Sequence, residues 1–480
     1  MTVMFWPVVI FMAISLAIGL YTFNQVRGSS ARYTVCGKSL PFIVVGTALT
    51  AQAVDGNSTL GAVSITYGSG VWAGLMISLG LTLSLFVVGT FLAAPLNRMN
   101  LLTLPEFFYR RYGLRTELMV SILTIVCFTV LIAGNLSAVA WVLSVVSGIR
   151  YLPALMISTA VIVSYTMAGG LYSAVWTDFF QIYMALIGFV GSAVWLLSTR
   201  GFRELVSAVP AQRVDLSSLT SLQGGALVNW AGVIALTLGN AMALDFMERV
   251  FAAKNGETAR RACYYSGVLT IVIGSCVALL GLAGIASVQN IADPRMVLPT
   301  LCLQVLPYWI GVLVFLGVLG ASMSTANGAM LVISVVVARN LYKHLRKTEI
   351  TDSKMLYMSR VFAIPTAAAA AVFAWLRPEP GILLIIAFDI VLAGCVVPLL
   401  AGVYWPKANS VGAVVSIVVG TTARLIAHFV TPPAWSGLDT LIPPVLSGIA
   451  FYVTCQLTWK TQPSRHHVLV ERWEEEEAYP

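Results

Sequence analysis

The chain has 480 residues, of which 58% are hydrophobic and only 10% charged. Its mean hydropathy is +0.87. This composition excludes a water-soluble globular domain, and the net charge of +8 needs no nucleic-acid partner, because the basic residues sort by loop as described below. Crossing roughly 30 Å of hydrocarbon takes about 20 apolar residues, and lipid forces backbone polar groups to pair within their own segment. An all-α, polytopic membrane protein follows, with the lipid bilayer as a partner.

Apolar runs fall near 3–23, 41–66, 70–93, 117–147, 152–168, 176–199, 228–247, 262–287, 308–338, 355–376, 381–402, 409–430 and 440–459, about thirteen spans. Thr2 and Val3 give the first run no basic flank, so it reads as a span and not as a cleaved signal. Basic loops stay in the cytoplasm. Placing the N-terminus outside collects Arg27 to Lys38, Arg98 to Arg115, Arg249 to Arg261 and Arg339 to Lys354 on one side. The tail 461–480, with His466, His467 and Glu474 to Glu477, is then a solvated cytoplasmic end. The expected location is the plasma (cell inner) membrane. Five of the seven cysteines, all but Cys36 and Cys302, lie inside apolar runs, where they are expected to pack as small residues.

The second run carries LTAQAVDGNSTLGA (49–62), which places Asp55 within a membrane-length apolar stretch. Gly56 and Asn57 are poor helix formers, so the helix is expected to stop there. The seventh run repeats the feature in LGNAMALD (238–245). Paired interruptions in two halves point to a transporter binding site, since unwound backbone at membrane depth is tolerated where it lines a cavity. Close helix packing is the alternative use of Gly56 and Gly239, but packing does not call for the adjoining Asn57 and Asn240.

Three further stretches carry a resemblance: LLTLPEFFYRRYG (101–113), YTMAGGLYSAVWTDFFQ (165–181) and GASMSTANGAMLVIS (320–334). They resemble the sodium:solute symporter family, which includes sodium/glucose, sodium/proline and choline cotransporters. The resemblance implies a leucine-transporter-type fold with 41–199 and 228–402 as inverted repeats, in one transmembrane domain over 1–460. It implies a sodium site with side-chain oxygens from Ser324 and Thr325, carbonyl oxygens from Ala51, Val54 and Ala321, and Asp178 as the nearby negative charge. The chemistry is coherent, because sodium is a hard cation and a membrane interior supplies oxygens only as hydroxyls, carboxylates and carbonyls freed from a broken helix. Each residue has another reading: Ser324 and Thr325 could bond back to their own helix, and Thr177-Asp178 could cap the following one. Some relatives place a second sodium a turn further along, but Asn327 and Gly328 stand there and Gly328 has no side-chain oxygen. One sodium per cycle is expected.

Asp55 falls one residue past Val54, on the segment that would face the central cavity. An intramembrane carboxylate is a functional-site hypothesis by default. Three readings stay open: counter-charge to a cationic amine on the solute, ion coupling, or structural filling. The local pattern also resembles that of neurotransmitter transporters for cationic amines. Gly56, Asn57, Asn240 and Phe246 join it as candidate solute contacts, and Trp141 either lines the site or fills the core. The positions expected to form an aromatic cage for choline are Ala53 and Ala243, which speaks against choline itself. Import of a small organic solute with Na+ as coupling ion is expected, with no other cofactor. A transporter-like sensor acting with a separate signalling partner is the alternative. An enzyme is not expected, since no nucleophile with a base, metal cluster or catalytic carboxylate pair appears at a consistent depth.

Overall fold

The computed structural model describes residues 3–22, 29–288, 291–345, 350–462 and 464. The histidines and glutamates of the expected tail lie outside them. Over the described residues each of the thirteen apolar runs coincides with helix, apart from the breaks described below. In chain order these are α1 (Phe5–Tyr21), α2 (Phe42–Ala53), α3 (Ala62–Ser69), α4 (Val71–Arg98), α5 (Leu114–Ser147), α6 (Tyr151–Thr199), α7 (Ala226–Gly239) and α8 (Leu244–Ala252). There follow α9 (Gly256–Ser287), α10 (Tyr308–Tyr342), α11 (Asp352–Leu376), α12 (Ile382–Gly394), α13 (Val396–Tyr404), α14 (Ser410–Val430) and α15 (Leu438–Thr458). No strand occurs among the described residues beyond one isolated bridge between Leu40 and Ala253.

Several spans are broken. The helix α2 ends at Val54, whose backbone is extended (φ −94, ψ 97), and helical structure resumes through a π turn at Asn57–Gly61 into α3. The second interruption also matches its expectation: a 3-10 turn at Asn240–Met242 and an extended Ala243 separate α7 from α8, which are bent 46° apart. A third break, of 51° between α12 and α13, has no Gly-Asn signal in the sequence.

The 49-residue α6 is two spans joined at Gly170 (φ 57, ψ −138). A β-carbon at Gly170 would stand 2.4 Å from the Tyr33 ring and 2.6 Å from the Tyr33 carbonyl. Only glycine fits that backbone and that space, which accounts for the second glycine of YTMAGGLYSAV.

The span α10 forms the centre, packed against α5 and against both halves of α6, while α14 and α15 lie at the periphery. Leu40 N donates to Ala252 O (3.1 Å) and Lys254 N to Leu40 O (3.1 Å), which clips the start of α2 to the end of α8. The LPEFFYRRYG stretch is a short helix, Leu104–Tyr112, whose buried Arg111 donates to the carbonyls of Gly402 (Nε, 3.0 Å) and Trp405 (Nη2, 3.0 Å). A guanidinium thus satisfies orphan carbonyls at the end of α13.

Gly170→Ala is expected to cost about 2 kcal/mol or more of stability, read as a lowered midpoint of thermal unfolding in detergent.

Candidate functional site

The unwinding of α2 frees its last carbonyls from intrahelical partners, and α10 meets them. Ser324 Oγ lies 3.2 Å from Ala51 O, and Thr325 Oγ1 lies 3.2 Å from Ala51 O and 3.4 Å from Gln52 O. Neighbouring hydroxyls on α10 behave differently. Ser322 bonds back to Val318 O (2.7 Å) and Ser334 to Leu331 O (2.7 Å), along their own helix. Ser324 and Thr325 therefore face across to α2 and do not follow the back-bonding alternative.

Asp178 closes the group from α6, with Oδ1 2.5 Å from Ser324 Oγ. It does not cap a helix, since α6 is helical from Leu171 through Thr199; the adjacent Thr177 bonds back to Ser173 O (2.8 Å). Gln52 Nε2 donates to Ser324 Oγ (3.0 Å) and Asp178 Oδ2 (3.3 Å). Ala51, Asp178, Ser324 and Thr325 thus meet as one buried oxygen cluster. Val54 is the residue at which α2 unwinds, and Ala321 sits one turn before Thr325, also buried.

A cation already belongs to this cluster. The charge pattern counts Arg249 among loop arginines, but the structure buries it fully. Its Nη2 donates to Asp178 Oδ2 (2.8 Å) and its Nη1 to Asp245 O (3.1 Å). Gly328 makes room, because a β-carbon there would stand 2.5 Å from Gln52 Oε1 and 3.0 Å from Arg249 Nη2. The position that offers no oxygen for a second ion is backed by a protein guanidinium.

Asp55 lies on the unwound segment and is 1% exposed. Its Oδ1 accepts from Ser58 N (2.7 Å), its own N–H donates to Ser58 Oγ (2.8 Å), and Asp55 O accepts from Thr59 N (3.0 Å). This reciprocal pair starts the helix beyond the break as a capping box does. Its Oδ2 accepts from Asn57 Nδ2 (2.6 Å) and from Asn135 Nδ2 (2.8 Å) of α5, while Asn135 Oδ1 accepts from Gly56 N (3.0 Å). Asp55, Gly56 and Asn57 are therefore assembled together. Asn240 donates back to Leu236 O (2.8 Å), and Phe246 is buried on α8 with its N–H on Asp245 Oδ1 (2.9 Å).

Above the break, Gly381 packs on Gly61 and donates to Asn57 Oδ1 (3.3 Å). Trp141 packs against Tyr151 with the rings tilted 38° (5.0 Å) beneath the Arg295 guanidinium (4.9 Å), and Arg295 Nη1 donates to Pro378 O (2.9 Å). Trp141 is part of this cover over one end of the site. Gln52, Asn135 and Arg249 are the participants that sequence reasoning missed as site residues. Gln52 and Asn135 carried a weak signal, as amides inside apolar runs. Among the described residues there is no group of three or more His, Cys, Asp or Glu that could hold a metal ion.

The sequence model of the sodium:solute symporter family matches residues 33–420. The sodium/pantothenate symporter of Escherichia coli (strain K12) is 26% identical over 462 residues, covering 93% of this chain and 95% of that protein. The high affinity choline transporter 1 of Homo sapiens is 23% identical over 439 residues, covering 87% of this chain and 75% of that one. Among solved structures, a substrate-bound, outward-open sodium-coupled sialic acid symporter superposes with a TM-score of 0.81 at 17% identity, covering 97% of this chain and 98% of that one. The fold is of the leucine-transporter type that the sequence resemblance implies.

Removing one partner of a buried ion pair leaves an uncompensated charge and costs about 3–5 kcal/mol. Arg249→Met is expected to destabilise the protein on that scale, and Asp178→Asn added to it to restore part of the loss. Thermal unfolding of the two single variants and the double variant checks this.

Proposed function

The chain belongs to the sodium:solute symporter family and is a sodium-coupled symporter of a small solute; we propose that it imports a small organic solute with one sodium ion per cycle by alternating access. The observation that carries the proposal is the convergence of Ser324, Thr325, Asp178 and Ala51 O where α2 unwinds. Sodium would take oxygens from Ser324 and Thr325 and from the carbonyls of Ala51, Val54 and Ala321, with Asp178 supplying negative charge. The family's relatives are transporters, in keeping with transport and not catalysis as the activity.

Coupling follows from shared backbone. A cation that ties the end of α2 to α10 fixes the break, and Asp55, Gly56 and Asn57 follow Val54 directly in the chain. Sodium and solute each bind best to the same arrangement, which is thermodynamic coupling, and it is reciprocal. Asn240 and Phe246 complete the solute set from the second broken pair. We assign 41–199 and 228–402 to the two repeats, whose leading broken helices would rock to open the site inward. The N-terminus would lie outside and the arginine-rich ends in the cytoplasm, in the plasma (cell inner) membrane.

The solute we favour carries a cationic amine. Asp55 would exchange the amide donors of Asn57 and Asn135 for an ammonium. Ala53 and Ala243 flank the breaks where a quaternary ammonium would want aromatic walls, which favours an amine with N–H donors over choline.

One charge crossing about 100 mV contributes roughly 2.3 kcal/mol, and a tenfold sodium gradient about 1.4 kcal/mol. Together these sustain a several-hundredfold accumulation of a solute with no net charge, and the membrane potential adds to that for a cationic one, so a single ion suffices.

Ser324→Ala combined with Thr325→Ala is expected to abolish sodium-driven uptake in proteoliposomes, and uptake at the wild-type rate would remove the ion assignment. A thermal-shift screen of small amines and acids in sodium and in potassium identifies the solute. A cationic compound that stabilises only in sodium is the expected hit; a sodium-independent anionic hit would overturn the role given to Asp55.

A further inference from the structure

Glu248 precedes the arginine that pairs with Asp178. It is 3% exposed, and neither carboxylate oxygen has a hydrogen-bond partner among the described residues. Among the described residues its one ion-pair contact is long, 3.8 Å from Oε2 to Arg249 Nη1. The side chain borders a cavity of about 10 Å³, room for one water molecule. The other walls include Leu102, Leu104, Leu244, Phe251 and Val332, and the hydroxyl of Thr103, also on the wall, is held by Asn340 Oδ1 (3.0 Å). Leu102 is partly exposed, so the cavity lies just beneath the arginine-rich end of the protein.

The groups that act on Glu248 electrostatically are Asp245 and Arg249 of its own helix and Asp178 of α6, with Tyr33 and Cys36 from the segment before α2. From α10, Val332, Val335 and Val336 line the same cavity. One guanidinium therefore stands 2.8 Å from Asp178 and 3.8 Å from Glu248, with the buried Asp245 carboxylate acting on the same pair. An ionised carboxylate without hydrogen bonds in apolar surroundings is strongly disfavoured, so Glu248 needs either a proton or a closer cation.

We propose that Glu248 is a proton-binding site that competes with sodium. The inference rests on the sodium reading of Ser324, Thr325 and Asp178. Without sodium, Asp178 holds Arg249 and Glu248 carries a proton. Sodium beside Asp178 adds a positive charge and releases Arg249 to close on Glu248. The carboxyl O–H bond then breaks, its electron pair stays on the carboxylate, and the proton leaves through the water-sized cavity. When sodium departs, Arg249 returns to Asp178 and Glu248 takes a proton back. Competition fixes the sign: falling pH weakens sodium binding, and sodium binding releases a proton.

The test uses the purified full-length protein in weak buffer with a pH-sensitive dye, titrated with sodium chloride against potassium chloride. Tryptophan fluorescence reads sodium binding from mildly acidic to mildly alkaline pH. Sodium, and not potassium, is expected to release about one proton per protein, with sodium affinity falling by up to about tenfold per pH unit. Glu248→Gln, an isostere of the protonated acid, is expected to release none and to hold its sodium affinity at the weak, low-pH level of the wild type. Wild-type sodium binding with no proton release overturns the proposal, as does an unchanged pH dependence in Glu248→Gln. Sodium binding that survives Ser324→Ala with Thr325→Ala instead removes the sodium reading itself, and this inference with it.

Discussion

In hydrocarbon every backbone polar group needs a partner within the protein, so a helix that stops halfway across creates a demand that other elements must meet. At the end of α2 the demand is met from two directions. The hydroxyls of Ser324 and Thr325 reach the Ala51 carbonyl from α10, and the Asn135 amide of α5 receives the Gly56 N–H while donating to Asp55. The break therefore dictates the composition of its neighbours. Polar residues appear on α5, α6 and α10 where they face it, and the same hydroxyls and carbonyls can turn their lone pairs to a cation.

Charge follows a similar logic. Asp178, Glu248 and Arg249 lie within a few residues' reach of the hydroxyl pair and are all buried. A single guanidinium stands among three buried carboxylates, Asp178, Asp245 and Glu248, so this core is short of positive charge whenever more than one of them is ionised. Gly328 belongs to this arrangement, because any side chain there would displace Arg249 or Gln52.

Much of the fold was legible in the sequence. The apolar runs located the helices, and the two Gly-Asn pairs fell within four residues of two breaks, although the extended backbone is at Val54 and Ala243 while Gly56, Gly239 and Asn240 are themselves helical. The third break, at Cys395, lies between Gly394 and Pro398, and Pro398 has no N–H to give the Gly394 carbonyl, a local signal that a search for Gly-Asn alone passes over. Ser324, Thr325, Ala51 and Asp178 were placed through motif resemblance, and their cross-helix hydrogen bonds follow that placement. Arg249 was misread because loop counting tallies arginines near span ends by position in sequence, whereas burial depends on where a short helix such as α8 tucks under its neighbours. Asp55 has a structural task as a helix cap that spacing alone, Asp55 with Ser58 three residues on, could have suggested.

The central claim is that a sodium ion bridges the end of α2 and the hydroxyls of α10, and so holds the break in one shape. Hydrogen–deuterium exchange of the amides over residues 54–59, compared in sodium and in potassium at equal ionic strength, measures this directly. The account predicts slower exchange there in sodium alone. Equal exchange in the two salts, with sodium-driven uptake intact, would contradict it.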